Sequence, residues 1–289
     1  MLFRSFPPSL PLILFAIIAG SKAQAAGVTI EKMFLAGLLP GLLLVGLTAW
    51  WGVSQGPKDD AERPKFSGAA ARAALWGAKW ELAVPVVALV ALFGGFATPV
   101  EAAAVTALYV FICTTLIHRD LTFTTDVPRV LTECGLLVGG VLMILGVALG
   151  LTNYLVDAQI PAKAVEWVTA TIKSKWAFLL ALNLLLLLVG CFMDVLSAIV
   201  VIVPLLVPLG AAYGIDPLHL GIIFLANMEL GLLAPTVGIN IFLASYRFKK
   251  PVMEVSRAVL PMQGVLLTGV LLITYVPALT TWLPKVFGR

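Results

Sequence analysis

The segment 232–242, LLAPTVGINIF, sits inside a long apolar tract and carries chemistry that an apolar helix does not need. Pro235 removes a backbone donor and breaks the helical ladder. Thr236 and Asn240 bring side-chain oxygens, and Gly231 and Gly238 permit close backbone approach. A break of this kind frees amides and carbonyls that lipid cannot satisfy. Half-helix N-termini direct partial positive charge at an anion, and unwound carbonyls can hold Na⁺. The competing reading is a proline kink whose polar groups are satisfied by neighbouring helices.

A second cluster lies upstream. In LALNLLLLLVGCFMDVLSAIVVIVP, Gly190 and Asp194 fall between two apolar stretches with no loop long enough to reach water. An acidic side chain there either faces protein or binds something. The simplest geometry is a re-entrant hairpin with its tip inside the membrane, where irregular backbone is tolerated only in protein or along a cavity.

The elements that position these clusters are membrane spans. Of 289 residues, 61% are hydrophobic and 12% charged, too little charge for a soluble domain. Apolar segments run at 9–20, 33–53, 82–98, 99–117, 130–155, 175–190, 194–212, 217–245 and 258–283. The first is too short to span alone. Glu101 of GGFATPVEAAA falls in a helical first turn, where the dipole favours it, so that motif reads as a structural turn. The stretches 66–80 and 160–173 are amphipathic and fit helices lying in the interface plane. A net charge of +4 without a basic patch excludes nucleic acid as a partner. Cys113, Cys134 and Cys191 read as buried free thiols, and two histidines, His118 and His219, are too few for a zinc cluster. The N-terminal MLFRSFPPSLPLILFAIIAGSKAQAA has features of a secretory signal, an early Arg4 and Ala23-Gln24-Ala25 after an apolar run, although Pro7-Pro8 interrupts it.

Charge sets an orientation. With 54–81, 118–129 and 246–257 on the cytoplasmic side, that face holds eleven Lys and Arg: Lys58, Arg63, Lys65, Arg72, Lys79, Arg119, Arg129, Arg247, Lys249, Lys250 and Arg257. The opposite face holds seven, Lys22, Lys32, Lys163, Lys173, Lys175, Lys285 and Arg289, a bias in the direction of the positive-inside rule.

The chain also repeats itself. FPPSLPLILFA aligns with LAPTVGINIFL, Pro8 on Pro235 and Ser9 on Thr236. Downstream, FLAGLLPGLLL aligns with VSRAVLPMQGV, Pro40 on Pro261. Each copy is a proline-broken helix, a charged linker and a span with a proline near its start. In the charge-derived topology the copies are inverted, and paired broken helices in inverted repeats point to a transporter binding site near the bilayer midplane. A cleaved leader would not match a functional element, so the repeat weighs against the signal peptide.

GFATPVEAAAV, the long motif from GCFMDVLSAIVV to LLAPTVGINIF, and FPPSLPLILFA with MFLAGLLPGLLL together resemble the large membrane subunit of the TRAP (tripartite ATP-independent periplasmic) transporters, over nearly the whole chain from Phe6. The resemblance implies an all-α integral membrane protein of the elevator type. It would have a re-entrant hairpin, discontinuous helices and an inverted repeat whose first copy is incomplete. It implies four parts: 1–32 closing the first repeat, 33–174 as scaffold spans and arm helices, 175–245 as transport-domain hairpin and discontinuous helix, and 246–289 as C-terminal span. It implies a permease of the bacterial inner membrane, multi-pass, that imports organic acids with Na⁺ as coupling ion and no other cofactor. Its partners would be a small membrane subunit, a periplasmic substrate-binding protein and a small organic anion. Carried over, the Na⁺ site uses Gly190, Asp194, Thr236, Gly238 and Asn240. Pro235 lies beside it, and Ser9 is the matching position in the first repeat.

Two departures bear on this. The family's first hairpin precedes the PPS break, and the sequence here starts at that break, so the alternative is a truncated, inactive half-transporter or a scaffold partner of another half. The family's TPPVG is here APTVG, so either Thr236 supplies the oxygen from a shifted position or the site is weakened. A membrane-embedded enzyme needs a facing catalytic pair; Asp194 has no partner in the sequence pattern, and Glu229 is the other acid deep in the C-terminal apolar region. No enzyme is expected.

Overall fold

The expected apolar segments are helical, two of them as helix pairs, in the computed structural model, which describes residues 9–21, 25, 27–56, 67–94, 98–234 and 239–287. Among the described residues the regular structure is helical throughout, and five helices are long and apolar enough to cross a membrane.

The first helix, α1 (Leu10–Gly20), is 11 residues long, about 16 Å at 1.5 Å per residue, too short to span alone. Helix α2 (Ile30–Gln55) carries Pro40 inside it. Helix α3 (Gly68–Gly77) starts at Ser67, whose hydroxyl accepts from Ala70 N. It has no buried residue, and meets α4 (Lys79–Phe93) at a 64° bend. Helix α5 (Pro99–Ile112) ends in a π turn, Cys113–Ile117. Its N-terminus is the turn expected from the sequence. Thr98 N donates to Glu101 Oε2 (2.7 Å) and Glu101 N to Thr98 Oγ1 (3.4 Å), a reciprocal cap that satisfies two orphan donors.

Next come α6 (Asp126–Asp157), α7 (Ile160–Thr171), α8 (Lys175–Phe192), α9 (Val195–Ala212), α10 (Pro217–Gly231), α11 (Ile239–Phe248), α12 (Val252–Tyr275) and α13 (Ala278–Phe287). The last expected span is two helices. Pro277 cannot donate a backbone hydrogen bond and holds Val276 out of the helical region (φ −119°, ψ 81°). The hydroxyls of Thr280 and Thr281 donate back to Pro277 O in the first turn of the restart. The cysteines are free; Cys113 is buried, but Cys191 is half-buried and Cys134 is exposed, unlike the buried thiols expected.

The chain forms two compact units, Met1–Gln55 with Ile144–Arg289, and Gly56–Met143. In the second, α4 lies on α5, and Tyr109 donates to Trp80 O (3.1 Å). In the first, α10 is the central post, contacted by α1, α2, α8, α9, α12 and α13. It is apolar almost all round, so most of its residues are buried. The unit thus joins α2 to the C-terminal helices.

Helices α2 and α12, which carry the aligned prolines Pro40 and Pro261, lie side by side and run in opposite directions. A Cβ on Gly221 of α10 would meet Met33, near the start of α2, and His219 two residues earlier bonds Thr274 O, near the end of α12. Further along α2, Leu44 and Leu47 face Gly269, earlier in α12.

Helices α8 and α9 form a hairpin with a tight base. Phe178 stacks on Tyr213, ring centroids 4.2 Å apart and planes 12° from parallel. Lys175 Nζ donates to Gly214 O (3.1 Å), and Tyr213 Oη donates to Ile172 O (2.7 Å) at the end of α7. Gly214 takes φ +61°, the left-handed turn that lets Ile215 N return to Gly210 O (2.9 Å).

Candidate functional site

The far end of the hairpin is the candidate site. Helix α8 runs out through Gly190, Cys191 and Phe192, and Met193 N closes its last turn on Val189 O (2.9 Å). Met193 is extended, and Asp194 caps α9 by accepting from Leu196 N at Oδ2 (3.0 Å). Asp194 is exposed in this chain, not buried against it. One of its oxygens serves the cap, and an ionised carboxylate has further lone pairs to offer.

Gly190 meets Gly231, the last residue of α10. A Cβ on Gly190 would lie 3.0 Å from Gly231 Cα and 3.1 Å from Met228 O. The two helices touch backbone to backbone there, which only glycine allows. Helix α10 then tightens: Leu233 N bonds Leu230 O (3.1 Å) and Ala234 N bonds Gly231 O (2.9 Å), three-residue turns that close its end. The next described helix, α11, starts at Ile239.

Both α8 and α10 therefore bring C-terminal ends, with partial negative charge on their last carbonyls, to one place. Beside them α9 starts, with the opposite partial charge at its amides. The first pair of ends favours a cation and the second favours an anion.

The structure brings together Gly190 and Gly231 and sets Asp194 at the tip that follows Gly190. Pro235, Thr236 and Gly238 lie outside the described residues. Asn240 falls in the first turn of α11, and its side chain is outside the description too. Ser9 precedes α1, which packs on α9 and α10. It is 7% exposed, and its hydroxyl has no hydrogen-bond partner.

A chain of buried polar side chains behind the tip was not singled out from sequence. Asn227 Nδ2 donates to Asn183 Oδ1 (2.5 Å) and Ile223 O (2.8 Å). Thr274 Oγ1 donates to Asn183 Oδ1 (3.1 Å), His219 Nε2 lies 3.1 Å from Thr274 O, and His219 Nδ1 lies 2.8 Å from Thr280 Oγ1. The carbonyl of Thr274 can only accept, so Nε2 carries a proton. These bonds tie α8, α10, α12 and α13 together. The available signal was a lone asparagine in each of two apolar runs, LALNLLLLL and IIFLANMEL, since polar groups in spans bond across helices.

Comparison with known proteins shows the family. The family described as tripartite ATP-independent periplasmic transporter, DctM component, matches residues 4–279. The C4-dicarboxylate TRAP transporter large permease protein DctM of Pseudomonas aeruginosa is 36% identical over 288 residues, 98% of this chain and 64% of that protein. The isethionate TRAP transporter permease protein DctMQ of Oleidesulfovibrio alaskensis is 34% identical, over 94% of this chain and 42% of its own length. The sialic acid TRAP transporter large permease protein SiaM of Vibrio cholerae is 30% identical, over 97% of this chain and 64% of its own. The chain thus spans under two thirds of the length of these relatives.

Proposed function

Since the chain belongs to the DctM family of TRAP transporter large permeases, we propose that it works as the membrane permease of a Na⁺-coupled secondary transporter. The cargo is an organic acid, in the class of C4-dicarboxylates or related carboxylates, and the movement is of the elevator type. In this reading a periplasmic binding protein delivers the substrate, a small membrane subunit completes the assembly, and the whole sits in the bacterial inner membrane. The family is one of transport permeases, not enzymes.

The observation that carries the reading is the convergence of two helix C-termini at Gly190 and Gly231, beside the interruption between α10 and α11. A monovalent cation is held there by carbonyls at the negative ends of both helices and by Asp194, with Thr236, Gly238 and Asn240 supplying oxygens from the interrupted segment. The α9 amides sit at the same tip and attract the substrate carboxylate. Ser9 plays the corresponding part at the first broken helix.

Two features support the repeat. Helices α2 and α12 run in opposite directions with their aligned prolines inside them. The hairpin's two ends meet at one base, as a re-entrant element requires, although α8 and α9 at 18 residues each also have the length of full spans. On this reading 175–245, the hairpin with α10 and α11, is the core of the carrying body, and 33–174 supplies scaffold spans and arm helices.

The test is uptake of labelled C4-dicarboxylates into proteoliposomes holding the assembled transporter and its binding protein, with an inward Na⁺ gradient. Accumulation should follow the gradient. Equal uptake with K⁺ in place of Na⁺ would remove the coupling.

A further inference from the structure

Two amides in the carrying body are only half used. Asn183 and Asn227 are 2% and 0% exposed. Asn183 Oδ1 accepts from Asn227 Nδ2 and from Thr274 Oγ1, and Asn227 Nδ2 also reaches Ile223 O. Asn183 Nδ2 and Asn227 Oδ1 are buried with no hydrogen-bond partner.

Turning the amides over does not cure this. Rotating Asn183 sets its NH₂ against the NH₂ of Asn227. Rotating Asn227 sets its oxygen against Asn183 Oδ1 and Ile223 O, and rotating both keeps the clash with Ile223 O. The orientations are fixed, and what remains open is one donor and one acceptor on neighbouring side chains.

Buried polar groups are satisfied in the great majority of cases, because an orphan loses the hydrogen bond it had in water. An ion of either sign fails here: the Asn183 NH₂ repels a cation and the Asn227 oxygen repels an anion. Water accepts from one and donates to the other.

We propose that a single water molecule bridges Asn183 Nδ2 and Asn227 Oδ1, and that this wet amide pair is a positioning element that sets the register of α8 on α10 and so holds Gly190 against Gly231. Asn183 stands two turns before Gly190 in α8, and Asn227 one turn before Gly231 in α10, so each amide shares its glycine's helix face. A slip of the amide pair by one turn would part the glycines. The transport consequence rests on the tip being the ion site; the water itself does not.

Cryo-EM of the protein in lipid nanodiscs, at a resolution that shows ordered water, tests the first part. Density within bonding distance of both Asn183 Nδ2 and Asn227 Oδ1 is expected. Direct bonding of the two atoms, or an empty gap, overturns the water. For the second part, Asn227→Leu is compared with Thr280→Val, which cuts the far end of the polar chain without touching α8. Asn183→Ser takes the place of Asn227→Leu if that variant does not fold. Both changes should lower Tm, but only the asparagine variant should raise the half-saturating Na⁺ concentration, at least threefold at matched protein levels. An unchanged Na⁺ curve for it, or an equal shift in Thr280→Val, overturns the positioning role. If wild-type uptake shows no Na⁺ dependence, the coupling reading fails, and spin-label distances between positions 192 and 232 then decide. A distance that Asn227→Leu leaves unchanged overturns the register role, and a shifted one upholds it.

Discussion

Gly231 and Gly190 touch through main-chain atoms: a methyl built on Gly231 falls 2.7 Å from the Cα and 2.8 Å from the carbonyl carbon of Gly190. No side chain can rotate to relieve that clash. Gly231→Ala should therefore destabilise the protein by about 1–3 kcal/mol, in the range of overpacked cores. Gly190→Ala, whose nearest contacts are 3.0 and 3.1 Å, should cost less. Gly46→Ala in α2, with open space around it, should be neutral or mildly stabilising. Thermal unfolding of the three variants in one detergent gives the order.

The proposed ion site makes a separate demand. Thr236→Val and Asn240→Leu remove oxygens without much change of volume. Each should raise the half-saturating Na⁺ concentration several-fold in an assembled, active transporter, since losing about 1.4 kcal/mol of ion binding is a tenfold change. Uptake against Na⁺ concentration at matched protein levels is the measurement. Two unchanged curves would make APTVGIN a kink and nothing more.

Topology follows from charge. A membrane-impermeant thiol reagent applied to intact cells should modify Ala170→Cys and spare Lys250→Cys, in a background lacking the native cysteines. The reverse pattern would sink the orientation and the inverted repeat with it.

The hairpin base offers a stability test away from the site. Tyr213→Phe keeps the ring stacked on Phe178 and removes the hydroxyl that reaches Ile172 O and Val168 O. It should cost about 1 kcal/mol. Tyr213→Leu loses the stack as well and should cost about 0.5–1.5 kcal/mol more. Thermal melts should rank the two in that order, with Na⁺ dependence unchanged in both.

The breaks in the fold were legible because proline, glycine and charge act locally. The turn at Thr98–Glu101 and the tip at Met193–Asp194 were both read from such residues, whose effect does not depend on distant neighbours. Pro277 acts locally too, yet the apolar run around it masked the break between α12 and α13. What needed three dimensions was pairing. Nothing in LALNLLLLL says that Asn183 will meet Asn227 and Thr274, and nothing near His219 says that a ring at a helix start will be buried between α12 and α13. Hydropathy could not foresee Cys134 either, because a face turned to lipid is as apolar as a face turned to protein.

The clasp at the hairpin base bears on how the protein is made. Lys175 and Gly214 are 39 residues apart, so the ends of α8 and α9 find each other within one short stretch of nascent chain. Local contacts of this kind form early, and the two helices can leave the translocon as a closed pair. Asn183 leaves with them, carrying an amide that lipid cannot satisfy, while its partners Asn227 and Thr274 arrive 44 and 91 residues later. Until then the hairpin has an adhesive polar spot on its flank. Such a spot would recruit α10 and then α12 as each is inserted, making the order of synthesis the order of assembly.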